Sequence, residues 1–287
     1  QVLKIGLCSL SMAYYLRRRF GREGMGIVLF GAFYALSAYI LAYSWNIMWL
    51  DGILMLPVLA LGLEEMIAGR RFVRYVIGLA LTITFCYYIA YFICLFLVIY
   101  FLVAYFSRHP ALRFGLFVRK GVKFAFFSVL AAGISMAVVL PTYTALQLTS
   151  AANDVSPATW NLSFNLFDFL TNHLLVVPLH IREGLPNIYC GLAALILIPL
   201  YFFSPSIPVR SKIAHLLGLL ALFFSFSVNT LDFLWNGGHY PNQLPYRYAF
   251  VYVFLLLSMG YPVYIRLREF PARLIVGVSM AAAAFVV

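Results

Sequence analysis

Charge is scarce in this sequence. Only 10% of its 287 residues are Asp, Glu, Lys or Arg, against about 25% in ordinary soluble domains. That excludes a water-soluble globular enzyme and a disordered chain alike. Acid is the scarcer sign, with 9 Asp and Glu against 20 Lys and Arg. Cysteine is sparse. Cys8, Cys86, Cys94 and Cys190 stand in apolar stretches without C-x-x-C spacing, which argues for small packing residues rather than a zinc or redox motif. There is no P-loop, no G-x-G-x-x-G and no H-E-x-x-H, so the common phosphate-loop and zinc-peptidase signatures are missing. Apolar and polar residues do not alternate along the chain, which excludes an outer-membrane β-barrel.

Long apolar runs are what the sequence has instead. Apolar residues make up 64% and mean hydropathy is +0.95, the composition of an all-α, polytopic membrane protein. Runs free of charge predict ten segments, at roughly 1–16, 26–43, 46–66, 72–87, 90–106, 120–141, 188–204, 213–230, 246–265 and 273–287. The run 75–107 would be about 50 Å long as one helix, too long for a hydrocarbon core of about 30 Å. It is therefore split into a hairpin near Tyr87–Ala90. The chain begins at Gln1 and ends inside the run Ala281–Val287. It reads as an internal piece of a longer protein, a single transmembrane module over 1–287 with an extracellular insert at about 142–187.

The basic residues support the split. With the loop after the first segment in the cytoplasm, 17 of the 20 Lys and Arg fall on that side, as the positive-inside preference requires. Lys4, Arg182 and Arg247 are left outside. The net charge of +11 then reflects topology and anionic lipid headgroups, with no nucleic-acid partner. The outer face is the unusual one. It collects Asp51, Asp154, Asp168, Glu183 and Asp232 with His173, His180 and His239.

Three outer loops carry candidate chemistry. Ser44–Asp51 places Asp51 just inside the outer leaflet, where a carboxylate needs a partner or a wet cavity. The alternative is a helix N-terminal acid favoured by the dipole, with Trp45 and Trp49 as interface anchors. In the insert, Asn161 to Leu170 opens with cap-type residues, and Leu166, Phe167, Leu170 and Leu174 recur at helical spacing. That predicts a surface-lying amphipathic helix with Asp168, His173 and His180 on its wet face. Asn161-Leu162-Ser163 fits the glycosylation sequon. The third loop, Asn229–Arg247, holds two glycines and two prolines before Arg247. An outer arginine suits phosphate or carboxylate, flanked by Tyr246 and Tyr248. A snorkelling arginine or a pair with Asp232 is the plainer alternative.

Several blocks resemble those of one family. They are Tyr34–Tyr39, Asn46–Asp51 with Leu56-Pro57, Tyr87–Tyr91, Leu185–Gly191 and Pro241–Phe250. In this order and spacing they resemble the bacterial YfhO membrane proteins. The resemblance implies a GT-C type glycosyltransferase, multi-pass in the bacterial cell membrane. It would take a sugar from a polyprenyl-phosphate carrier at the outer face and pass it to a cell-envelope acceptor of the teichoic acid type. It also implies that the first outer loop, with its key acid, precedes Gln1. On this reading Asp51 is the catalytic candidate, with Asn46 shaping the sugar or acceptor site. Arg247 holds the carrier phosphate, assisted by Tyr246 and His239. No metal site is assigned; a divalent metal is compatible with the chemistry but not implied. A transporter or flippase of a lipid-linked or anionic substrate is the alternative, with a non-catalytic membrane scaffold as a third.

Overall fold

A computed structural model describes residues 1–109, 113–148, 157–239 and 243–286. Asp154, among the acids expected outside, and Pro241-Asn242 of the third loop lie outside the described residues. Helices account for nearly all the regular structure. Among the described residues there is no β-strand, only an isolated bridge between Leu162 and Val228.

The helices are α1 (Val2–Phe20), α2 (Met25–Ala35), α3 (Ala38–Tyr43), α4 (Trp49–Ile67), α5 (Val73–Phe85), α6 (Tyr87–Arg108), α7 (Phe114–Ile134) and α8 (Met136–Leu146). They continue as α9 (Leu166–Thr171), α10 (Ala193–Phe203), α11 (Val209–Ser227), α12 (Asn229–Trp235), α13 (Ala249–Tyr264) and α14 (Ala272–Val286). The core is built on α13, which is apolar almost all round and buries every residue from Ala249 to Tyr261; a helix of that kind belongs inside a bundle. Helix α1 packs on α2 and α4, α4 on α5 and α6, α6 on α11, and α10 on α13.

The predicted hairpin break is present, one residue earlier than its expected site. Cys86 leaves helical geometry at φ −157° and ψ 87° between α5 and α6, which pack against each other and against α4. Other segments depart from expectation. The stretch 26–43 is two helices, because Ser37 is extended and the Ala38 N–H donates to the Tyr189 carbonyl at 2.8 Å. The segment 120–141 is not one span, since α7 and α8 meet at an 80° bend. A Gly-x-Ser sequence at the bend is the usual setting for a sharp kink. Here the Ser135 hydroxyl donates to the Ala80 carbonyl of α5 at 2.8 Å. Ten spans were expected. Among the described residues two helices, α6 and α11, are long and apolar enough to cross a membrane, or three spans if α7 and α8 count as one bent crossing. Helices α1 and α4 match α11 in length at 19 residues each. Both carry charge near each end: Lys4 and Arg17–Arg19 on α1, Asp51, Glu64 and Glu65 on α4.

Those terminal charges fix the pairing of α1 with α4. Lys4, Cys8, Ser11, Tyr15 and Arg19 recur at helical spacing on one face of α1. At one end Lys4 meets Asp51 at 2.7 Å. At the other Arg19 meets Glu64 at 3.0 Å. Glu64 is only 2% exposed and is fully engaged. Arg108 reaches its Oε2 at 2.8 Å, and the Tyr15 and Tyr100 hydroxyls donate to Oε1 at 3.1 and 2.5 Å. Three helices, α1, α4 and α6, are thus tied by one carboxylate at the arginine-rich end.

Candidate functional site

At the opposite end, the turn Gln243–Arg247 between α12 and α13 is the strained part of the chain. Leu244 and Tyr246 are the described non-glycine residues with positive φ, at 62° and 51°. Each such residue costs about 1–3 kcal/mol and persists only where its surroundings hold it. Here the holding groups are visible. The Leu244 N–H donates to the Ile181 carbonyl at 3.0 Å. The Tyr43 hydroxyl donates to the Pro245 carbonyl at 2.8 Å, and Tyr39 to the Arg247 carbonyl at 2.5 Å. Asn187 clamps the neighbouring loop, accepting from the His180 N–H at 3.0 Å and donating to its carbonyl at 2.7 Å. Tyr246 packs its ring against Phe164 and Phe226.

Arg247 is folded back on this turn. Its Nε donates to the Leu244 carbonyl at 3.1 Å and Nη2 to the Gln243 carbonyl at 2.7 Å. Nη1 donates to the Tyr88 hydroxyl at 2.5 Å. The guanidinium also stacks near Tyr88 and Trp49, at 5.4 and 6.0 Å from the ring centroids. Tyr88 and Trp49, not the expected Tyr246 and Tyr248, are therefore its flanking aromatics. A guanidinium has five N–H donors. Three are used, two have no partner among the described residues, and no carboxylate lies within ion-pair distance. The fork is charged, half-buried and open to an anion.

Asp232, which the sequence offered only as a partner for Arg247, is not paired with it. Its Oδ1 accepts from the Tyr248 hydroxyl at 2.8 Å and from Asn236 Nδ2 at 3.2 Å. Both of these bonds fall on Oδ1, and no bond among the described residues falls on Oδ2. Burial pushes the carboxyl up to about 6. The two hydrogen bonds and the nearby Arg247 charge pull the other way. A carboxylate anchored through one oxygen, free at the other and titrating near neutrality has the properties of a general base.

A cavity of about 540 Å³ opens beside these groups. Tyr87, Tyr88, Tyr91, Tyr143, Gln147, Asn236 and His239 line it, and among the described residues no Asp, Glu, Lys or Arg does. It shares Tyr88 with Arg247 and Asn236 with Asp232. His239 and Tyr88 thus line one cavity, Arg247 bonds Tyr88 from beside it, and the Tyr246 ring is turned to packing. Asn46 precedes α4 near Trp49, and its Nδ2 is buried without a partner. Asp51 sits in the first turn of α4, in an ion pair with Lys4 whose side chain is 31% exposed against 25% for Asp51. Lys4 also donates to the Ile47 carbonyl at 3.3 Å.

The insert differs from its expected form. Its short helix α9 is capped by Asn165: Asn165 Oδ1 accepts from the Asp168 N–H at 2.9 Å, and Asp168 Oδ2 accepts from the Asn165 N–H at 3.3 Å. This capping box gives Asp168 a structural task. His173 is not on a wet face. Its Nδ1 donates to the Leu170 carbonyl at 3.2 Å, which leaves Nε2 to accept from the Tyr252 hydroxyl at 3.0 Å. Burial lowers it to about 4, so the ring is neutral near pH 7. Among the described residues no three His, Cys, Asp or Glu side chains group to hold a metal.

The missed residues are Tyr88 and Asp232 in its free-standing role. Tyr88 lies far from Arg247 in sequence, at the start of α6. The Tyr-Tyr pair directly after the α5–α6 break was the available signal.

The sequence model of a family described as "Bacterial membrane protein YfhO" matches residues 1–287. No curated protein and no solved structure matches the chain.

Proposed function

The chain belongs to the YfhO family of bacterial membrane proteins, and on that premise we propose that it is a membrane glycosyltransferase of the GT-C type. In this reading it spans the membrane several times, up to the ten crossings read from the sequence. It transfers a sugar from a polyprenyl-phosphate carrier to a cell-envelope acceptor, of the teichoic acid type, at the outer face. The observation that carries the reading is the pairing of an open cation with an open carboxylate at one end of the bundle. Among the described residues two Arg247 N–H donors and Asp232 Oδ2 have no partner, and each residue bonds a side chain that lines the same cavity, Tyr88 for the arginine and Asn236 for the acid.

The chemistry follows from these groups. An acceptor hydroxyl attacks the anomeric carbon and its proton passes to Asp232 Oδ2. The new C–O bond forms as the bond from that carbon to the carrier's phosphate oxygen breaks. The phosphate leaves with the electron pair, and the Arg247 fork stabilises the charge that develops on it. Tyr88 fixes the fork's direction. His239 stands at the cavity wall as an assisting group, Tyr246 holds the strained turn beneath Arg247, and Asn46 and Asp51 shape the neighbouring mouth. Asp232 replaces Asp51 as the preferred base because Asp51 is held by the Lys4 ammonium. Among the described residues no three His, Cys, Asp or Glu side chains group to hold a divalent metal, and the step is written without one.

The test is polymer glycosylation in cells carrying Asp232→Asn or Arg247→Ala in the full protein. Each change is expected to strip sugar from the polymer while the protein stays in the membrane at normal level. Normal glycosylation with both changes would overturn the reading. Accumulation of intact lipid-linked sugar on the inner leaflet would favour the flippase.

A further inference from the structure

We infer that the groove between α4 and α5, at the arginine-rich end, is a binding site for one anionic glycerophospholipid. An acyl chain lies along its apolar wall, and the phosphate sits among Arg70, Arg71 and Lys120. The inference takes from the family only that the chain lies in a membrane. It is independent of the transfer reaction.

The groove follows from the way α4 ends. The Gly69 N–H donates to the Met66 carbonyl at 3.1 Å, and the Arg70 N–H to the Glu65 carbonyl at 2.8 Å. These are the paired bonds of a Schellman cap. The cap needs a left-handed residue, and Gly69 supplies it at φ 82°. The chain therefore reverses sharply, α5 packs back along α4, and Arg70 and Arg71 line the space between them. That space holds about 750 Å³, within the usual range of small-molecule sites, about 300–1,000 Å³. Met55 and Val58 of α4 and Ile77 and Leu81 of α5 form its apolar wall. From Met55 to Glu65 the wall runs about 15 Å along the helix, the depth of one leaflet of a hydrocarbon core about 30 Å thick.

Outward apolar side chains describe any lipid-facing wall. The charges at the end of this one make it selective. Glu65 lines the groove and is already taken, since it pairs with Arg74, whose guanidinium lies over the Tyr14 ring at 5.7 Å. Arg70 and Arg71 are exposed at the same end. The Lys120 ammonium reaches the loop from α7, 3.7 Å from where a Cβ on Gly69 would stand. Among the described residues no hydrogen bond or ion pair takes the side chain of Arg70, Arg71 or Lys120. Three cations without a counter-charge beside an apolar groove fit a ligand with a long chain and an anion at one end. A free phosphate would leave the wall bare. A zwitterionic lipid would bring its own cation into a cluster of like charge.

The test is native mass spectrometry of the full-length protein released from detergent micelles. The probes are phosphatidylglycerol, phosphatidylethanolamine, a polyprenyl phosphate and glycerol phosphate. Phosphatidylglycerol is expected to bind tightest, and to bind about tenfold or more weaker in the double variant Arg70→Gln with Arg71→Gln. Ile77→Trp fills the wall without touching a charge and is expected to weaken it to a similar degree. All three side chains are exposed, so these variants report on binding rather than on folding. Arg268→Gln with Arg273→Gln removes the same charge from other exposed positions and is expected to bind as the wild type does. Equal binding of the two phospholipids, glycerol phosphate bound as tightly as the lipid, or a preference for polyprenyl phosphate would each overturn the site. So would an equal loss in the Arg268 and Arg273 variant, or no lipid bound by the folded wild type.

Discussion

The two ends of the bundle handle charge in opposite ways. At the arginine-rich end Glu64 is buried, and its two oxygens meet two guanidiniums and two tyrosine hydroxyls. At the other end Arg247 and Asp232 are close enough for one charge to shift the other, yet they form no ion pair. Each is anchored by neutral groups, carbonyls and Tyr88 for the arginine, Tyr248 and Asn236 for the acid. A closed network leaves nothing for a ligand to do and serves to hold helices in register. A network that among the described residues has unused donors and an unused acceptor is left open, on a turn that also stores backbone strain. That contrast separates structural charge from candidate functional charge, and experiments can break it at either end.

The largest effect is expected at the closed end. Glu64→Leu removes the acid and leaves Arg19 and Arg108 facing each other without compensation. Breaking a buried ion pair on one side costs about 3–5 kcal/mol, so thermal unfolding of the purified protein should fall sharply. A cost no greater than that of an exposed pair would show that the end is hydrated and the comparison false.

Asp232→Asn should leave unfolding close to the wild type and lower sugar transfer by about 10²–10⁴-fold, the usual contribution of a general base. The pH profile gives a sharper reading. With its carboxyl raised to about 6, Asp232 is an active base above that pH, and transfer should drop as pH falls through it. The Asn variant should lose that limb. Stability has the opposite sign: a carboxyl raised on folding favours the folded state below its ordinary value, and this contribution is lost as pH rises through about 6. Activity and stability that move together through this range would refute the role.

Arg247→Ala should lower transfer by about 10²–10³-fold, the cost of one donor group on a developing charge. Arg247→Lys keeps the charge and loses the fork and the stacking on Tyr88 and Trp49, so it should recover only part of the rate. Full recovery by lysine would show that charge alone matters and that the turn's geometry is incidental.

Much of this was legible before the fold. The apolar runs located most helices, and the charge split required a break near Tyr87, which falls at Cys86. Breaks caused by tertiary contacts were not legible. The runs break at Ser37 and Ser135 because the Tyr189 carbonyl takes the Ala38 N–H and the Ala80 carbonyl takes the Ser135 hydroxyl, and no local pattern carries that information. The site divides the same way. Arg247 stood out as a cation on the wrong side, and its loop as a shaped turn. Asp232 looked like its partner because proximity in sequence suggests a pair. Only the fold shows Tyr248 and Asn236 taking the acid and Tyr88 taking the arginine. Lys4 and Asp51 lie far apart in sequence, so an ion pair between them was out of reach of any spacing rule.

That ion pair supplies the smallest effect and the cleanest division of the two carboxylates. Asp51 was the acid most exposed to suspicion in the sequence, near the start of a helix just inside the expected outer leaflet. Its partner now accounts for its position, since Lys4 on α1 neutralises it and ties α1 to α4. Both side chains are partly exposed, so the pair should contribute no more than about 1 kcal/mol. Asp51→Asn and Lys4→Met should each lower unfolding slightly, and the double variant should cost less than the two added together, as expected for residues in direct contact. Transfer should stay within a few-fold of the wild type in all three. If Asp51→Asn abolishes transfer while Lys4→Met does not, the carboxylate is needed for itself rather than for its partner. The base would then be Asp51, and Asp232 would join Glu64 among the charges that hold the bundle together.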